Sequence, residues 1–311
     1  MNRRLGAIAA IAVIVAFTAF IIYDITTGSL FTDKPVTETG DNIVYPEPAW
    51  HVDRKITFPD TKLWAVTVTA DDRLVAAGSG FLTLYDTELN PVWTAPHEAE
   101  ITALTSNGEI IYAATEKTIL LFSAADGSPI TEWGPWEENS LITSISAAGG
   151  RVALADAGMR RVYILNSEGS MLSFFGHQGE EFIIPSGYFD LRLIGDTSMW
   201  VVNPGKLRLE LRDFSGNITS TFGEPGLAPE AFSGCCNPSH FTMISDNMVA
   251  TSEKGISRIK IMTLAGELVD YVALPDQFRS ALPLDLAADS RGNLFAASTY
   301  ESVIYIYRRK E

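Results

Sequence analysis

One pattern constrains the fold of this chain before any other: a short apolar strand ending in small or polar residues occurs six times. The copies are VAAGS at 75–79, YAATE at 112–116, VALAD at 152–156, WVVNP at 200–204, VATSE at 249–253 and FAAST at 295–299. They begin 37, 40, 48, 49 and 46 residues apart, a period that marks a repeat architecture. Before each copy stand another strand and a turn, as in ITSISAAGGR and LDLAADSRGN, where Asn, Asp and Gly supply the turn conformations. After each comes a strand of period-two alternation: FLTLYD, TILLFS, RVYILN, RLELRD, RIKIMT and VIYIYR. Five of the six then lead through a turn into a fourth strand: PVWTA, PITEW, MLSFF, ITSTF and LVDYV.

The sixth repeat lacks its fourth strand, which would leave an open sheet edge. RKITFP at 54–59 has the fourth-strand pattern and precedes the first repeat with no strands of its own. Pairing it with residues 303–307 closes a ring. Four-stranded units of this length closed radially make an all-β, six-bladed β-propeller, expected over residues 51–311. A length of 311 residues would otherwise suggest two domains, but a ring needs no second core.

Residues 5–23 form a run of 19 without a charge, long enough to cross a hydrocarbon core of about 30 Å. No small-x-small cleavage site follows, so the run is expected to remain as one transmembrane signal anchor. Arg3 and Arg4 flank it, which by the positive-inside rule holds residues 1–4 in the cytoplasm and the propeller outside. Residues 24–50, with scattered Thr, Gly, Pro and acids, are expected to be an extracytoplasmic stalk. The net charge of −15 argues against nucleic acid as a partner.

Three stretches resemble NHL-repeat blades: FGHQG at 175–179 with Ile184 and Pro185, FGEPG at 222–226 with Asn237 and Pro238, and VALAD with RVYIL at 161–165. The resemblance covers roughly residues 142–272 and is weak in blades 1, 2 and 6. It implies a propeller fold and a habit of binding, with no chemistry attached.

Vicinal Cys235 and Cys236 stand in FSGCCNPSH at 232–240, between the fourth strand of one blade and the innermost strand of the next. That placement puts the loop at the mouth of the central channel. Three readings are open: a vicinal disulfide suited to an oxidising compartment, a metal or iron–sulfur centre using Cys235, Cys236 and His240, or two small residues packed under a loop. This loop and its equivalents, with the strand junctions, contribute Asn237, His240, His97, Glu137, His177, Arg279, Asp156 and Glu253 as candidate binding residues. The sequence contains no G-x-S-x-G, H-E-x-x-H, P-loop or C-x-x-C motif, and no catalytic residue is assigned. The expected function is a membrane-anchored binding or scaffold module for a protein partner or a small ligand, with the Cys235/Cys236 loop at the channel mouth as its site. The alternative is a redox- or metal-dependent protein or enzyme.

Overall fold

The computed structural model describes residues 45–176 and 181–310. The anchor expected at 5–23, most of the stalk and His177 lie outside the described residues. Among the described residues no helix is long and apolar enough to cross a membrane.

Six antiparallel sheets follow one another along the chain. Blade 2 is Ala103–Ser106, Ile110–Ala114, Ile119–Ser123 and Pro129–Trp133, and blade 3 is Ile142–Ala148, Arg151–Asp156, Arg161–Asn166 and Met171–Phe175. Blades 4 and 5 repeat the pattern over Leu191–Ile194 to Ile218–Phe222 and over His240–Ser245 to Leu268–Ala273. Blade 6 has Asp285–Ala288, Leu294–Ser298 and Val303–Arg309 from the C-terminal end of the chain, and Trp50–Thr57 supplies its outer strand. The pairing runs Val52 to Tyr307, Lys55 to Tyr305 and Thr57 to Val303, with a bulge at Asp53. The orphan pattern thus completes the last sheet.

Two details differ from expectation. Blade 1 is a three-stranded sheet, because its second and third strands run together as Leu74–Tyr85. The residues up to Gly78 pair with Leu63–Val68, and those from Ser79 onward pair with Pro91–Glu100. The ordered propeller also begins before residue 51. Tyr45 packs edge-on against Tyr271 at 5.3 Å, Lys310 N–H donates to the Ala49 carbonyl, and Lys310 Nζ meets Glu47 at 2.7 Å. The expected stalk therefore loses its last residues to the flank of blades 5 and 6.

Apolar side chains alternate along each strand, so every sheet has two faces to bury and each buries them against its neighbours. Six separate clusters result, one at each seam. Between blades 2 and 3, Tyr112, Ile119 and Leu121 meet Ile145, Leu154 and Tyr163. Between blades 5 and 6, Ile259, Ile261 and Val272 meet Leu286, Tyr305, Tyr307 and Trp50. The small residues of the repeated motif, such as Ala76, Ala113, Ala153 and Ala296, are fully buried where the sheets converge.

The turns joining third to fourth strands also hold the ring together. A Cβ on Gly127 of blade 2 would lie 2.5 Å from the Trp93 ring of blade 1, and one on Gly169 of blade 3 would lie 2.5 Å from the Trp133 ring. In blade 4, Gly216 meets Phe175 of blade 3 in the same way. Each hairpin glycine thus seats the outer-strand aromatic of the preceding blade. Gly169→Ala is expected to cost about 2–4 kcal/mol, combining overpacking with strain at φ 82°. Gly150→Ala, at φ 71° with open space around it, should cost about 1 kcal/mol from backbone strain alone. Equal shifts in the two urea midpoints would show that the indole contact is immaterial.

Candidate functional site

The innermost strands are joined around the axis by side chains that take the backbone groups of the next blade. Ala147 N–H donates to Thr105 Oγ1 at 3.2 Å, Leu193 N–H to Ser146 Oγ at 3.0 Å, and Thr143 Oγ1 donates to the Phe189 carbonyl at 2.8 Å. At two seams the acceptor is a carboxylate. Asp190 Oδ2 accepts Phe241 N–H at 2.9 Å, tying blade 4 to blade 5, and Asp285 Oδ2 accepts Val66 N–H at 2.8 Å, tying blade 6 to blade 1.

His240, the first residue of its inner strand, stands between these carboxylates. Its Nδ1 is 3.7 Å from Asp190 Oδ2 and 3.7 Å from Asp285 Oδ1. Burial works against an imidazolium there, but Asp190 and Asp285 outweigh it and raise the His240 pKa. Burial likewise opposes the Asp190 charge, yet His240, the Ser144 hydroxyl and the Phe241 N–H hold its pKa below the usual carboxylate range. For Asp285 burial prevails over His240 and the Val66 N–H, pushing its pKa up to about 6. The two carboxylates therefore titrate on opposite sides of the ordinary value.

Above this triad opens a funnel of about 660 Å³, walled by all six blades. Lys62 and Trp64 come from the inner side of blade 1, Glu100 from the end of its outer strand Pro91–Glu100, Glu116 from the turn between the second and third strands of blade 2, and Thr143 from blade 3. Tyr188 precedes blade 4, Lys254 follows the second strand of blade 5, and Tyr300 belongs to blade 6. Apart from Glu100, which ends an outer strand, these residues sit at the start of inner strands or in the turns between second and third strands, which share one face. Lys62 Nζ lies 3.8 Å over the Trp64 ring and Lys254 Nζ 5.6 Å over Tyr188, whose ring meets His240 edge-on at 5.5 Å.

The Cys235/Cys236 loop borders this wall. Asn237 is buried and fastens the loop to blade 5. Its Nδ2 donates to the Ser233 and Lys254 carbonyls at 2.7 and 2.9 Å, and its Oδ1 accepts Lys254 N–H at 2.7 Å. Beneath, Lys260 Nζ donates to the Ala231 and Pro229 carbonyls and pairs with Glu253 at 3.1 Å, lying 4.3 Å over the Phe232 ring. Burial of this ammonium lowers its pKa to about 8. Glu253 also holds Arg258 through both oxygens.

The two cysteines are free thiols, Cys235 exposed and Cys236 buried, with Sγ atoms 3.2 Å apart. The expected disulfide is therefore not formed in this structure. Nor does the loop bring its thiols together with His240 as ligands. His240 turns to Asp190 and Asp285, and among the described residues no three His, Cys, Asp or Glu side chains form a metal-binding group. The Cys236 thiol raises the Cys235 pKa, as does burial, while the Lys254 ammonium opposes them.

Other expected residues are dispersed. His97 lies within the strand Pro91–Glu100 rather than in a loop, with both ring nitrogens buried. Glu137 pairs with Arg161 at 2.6 Å, and Arg279 is 86% exposed with Glu301 at 3.8 Å. Asp156 is a scaffold residue: its Oδ1 accepts Leu141 and Met159 N–H, both at 2.9 Å, and so shapes the turn into blade 3. Glu253 is buried under Arg258 and Lys260, away from the funnel. Asp190, Asp285, Tyr188 and Trp64 were not singled out from the sequence. For the two aspartates the signal was an acid inside an otherwise apolar stretch, in FDL at 189–191 and again in LDL at 284–286, whereas Tyr188 and Trp64 carried none.

The sequence matches no protein-family model and no curated protein. Among solved structures, the chain is similar to the WD40 β-propeller domain of Doa1, with a TM-score of 0.59 and 12% identity over 85% of this chain and 98% of that one. It is also similar to BamB from Moraxella catarrhalis, with a TM-score of 0.51 and 12% identity over 84% of this chain and 98% of that one. At that identity the likeness is one of fold, and the fold is the β-propeller.

Proposed function

We propose that this protein is a membrane-anchored binding module whose NHL-like propeller stands outside the cytoplasm and takes a protein segment or small ligand into the funnel above His240. The observation that carries this reading is the set of uncompensated charges on the funnel wall. Lys62, Glu100, Glu116 and Lys254 all line it, and none has an ion-pair partner among the described residues. Some charges buried elsewhere in the ring are matched, as at Arg212 with Glu210 and Glu181 or Arg258 with Glu253. A concave wall of aromatic rings and free charges on a rigid ring is suited to recognition. The Cys235/Cys236 loop supports the site from behind through Asn237 and Lys254, and the uncharged run at 5–23 supplies the anchor.

One experiment tests both location and site. In a Cys235→Ser, Cys236→Ser background, single cysteines replace Tyr300 at the funnel mouth or Ile130 on an outer strand, both about half exposed. A membrane-impermeant maleimide–diazirine reagent is applied to intact cells and photolysed. Both positions should be labelled without lysis, and only the Tyr300→Cys chain should gain a cross-linked partner. Labelling that requires lysis would overturn the extracytoplasmic placement. The same adducts from both positions, or none from Tyr300→Cys, would overturn the funnel as the site.

A second reading, in which the cysteine pair has redox chemistry of its own, is favoured by the 3.2 Å separation of the two sulfurs.

A further inference from the structure

We propose that Cys235 and Cys236 form a two-electron dithiol/disulfide couple beside the funnel, oxidised by exchange with a small-molecule or protein disulfide. The two sulfurs lie 3.2 Å apart, so a bond of about 2.05 Å requires them to close by only about 1 Å. The two thiols are also unequal in the way stepwise exchange needs. Cys235 is exposed and open to an incoming disulfide, while Cys236 is 3% exposed and reachable only by its neighbour.

The exchange has two steps. The Cys235 thiolate attacks one sulfur of R–S–S–R, breaking that bond, releasing one thiolate and leaving a mixed disulfide on Cys235. The Cys236 thiolate then attacks the Cys235 sulfur, forming the vicinal bond and expelling the second thiolate. The protein loses two hydrogens and two electrons, and R–S–S–R becomes two R–S–H. Contact with Cys236 and burial both disfavour the Cys235 thiolate, so the first step should quicken with rising pH across the thiol range.

The bond would be felt in the funnel through a short path. Asn237 follows the pair directly and grips the Lys254 peptide on both sides, at 2.9 Å to its carbonyl and 2.7 Å from its N–H. Lys254 Nζ in turn lies over Tyr188, and Tyr188 packs on His240. Drawing the two sulfurs together therefore shifts the anchor of one wall of the site. The chemistry stands on the sulfur geometry alone, whereas its effect on binding rests on the reading of the funnel as the site.

The test uses the full chain in detergent, reduced, freed of reductant and incubated with oxidised glutathione. Intact mass should fall by about 2 Da with no retained glutathione, and dithiothreitol should reverse the change. Cys236→Ser should stop at a glutathione adduct on Cys235. Cys235→Ser, which leaves the buried thiol in place, should not react. A stable glutathione adduct on the unmodified chain, or two thiols still open to alkylation after unfolding, would overturn the couple. Acetylation of Lys254 by N-acetoxysuccinimide, read by peptide mass, should differ between the two states by about fivefold or more, with Lys117 as the unchanged reference. A disulfide that forms while Lys254 reactivity stays level would overturn the link to the funnel and leave the couple standing.

Discussion

A chain lacking residues 50–57 should melt about 10–20 °C lower than the intact protein and aggregate on heating, as followed by circular dichroism in the β-sheet band. Three losses combine to set that scale. Trp50 is buried against Tyr305 and Tyr307 in the seam of blades 5 and 6, with Val52 beside it, and Ile56 packs into the seam of blades 6 and 1. Removing a buried Trp alone costs about 3–5 kcal/mol, comparable with the whole margin of an ordinary domain. The deletion also strips the paired edge from Val303–Arg309, leaving unpaired N–H and C=O groups along a β-branched and aromatic strand. A double substitution, Trp50→Ala with Ile56→Ala, removes the apolar contacts but keeps the strand pairing. It should reproduce most of the loss in melting temperature without the aggregation. A deletion that leaves both melting and solubility unchanged would show that the ring does not depend on its first strand.

The second large effect concerns the carboxylates at the floor of the funnel, where two substitutions of the same kind should act in opposite directions. Asp285 has a folded pKa of about 6 against about 3.8 unfolded, so between those values the native protein binds more protons. Its contribution to stability therefore falls as pH rises from 4 to 6, and its ionisation opposes folding above that window. Asp190 is shifted the other way, and its contribution is present above the unfolded value and lost in acid. His240, raised by both acids, contributes fully below about pH 6.5, and that contribution is lost as pH rises through its folded pKa. Asp285→Asn keeps an acceptor for the Val66 N–H and removes the costly charge. At pH 7.5 it should raise the melting temperature, by an amount corresponding to about 1–2 kcal/mol, and at pH 4.5 the gain should vanish. Asp190→Asn removes the charge that Phe241 N–H, Ser144 and His240 all face, and should lower the melting temperature at pH 7.5. In the Asp285→Asn protein the His240 ring proton should also titrate at lower pH by NMR, with Arg192 the remaining cation nearby. A fall in stability for Asp285→Asn at pH 7.5 would refute this account. A carboxylate that weakens the fold yet sits at the base of a funnel fits a group placed for recognition rather than for stability.

The ring itself was open to reading because its signals are local. Alternation marked RVYILN and RLELRD to the residue, and the unmatched fourth strand pointed to closure. Blade 1 was harder because only Ser79 and Gly80 stand between its middle strands, too short a turn to break the strand pattern. His97 was misplaced because TAPHEAE reads as a loop by composition, although the chain there continues an edge strand that tolerates Pro96 opposite Phe81. The site depended on what no local pattern carries. Asp190, His240 and Asp285 are far apart in the chain and converge only because blades 4, 5 and 6 present the same end of their inner strands. The cysteine pair shows the reverse limit. Adjacency in sequence brought the two sulfurs close without deciding whether they are bonded.

On the proposed reading of the funnel as the site, the two seams closed by carboxylates would also make the ring a sensor of its occupancy. Asp285 holds the Val66 amide and Asp190 holds the Phe241 amide, while both face the imidazole on which any occupant would rest. Exchange of these two backbone protons with solvent would then be linked to occupancy, and their resonances would report a ligand before its chemistry was known.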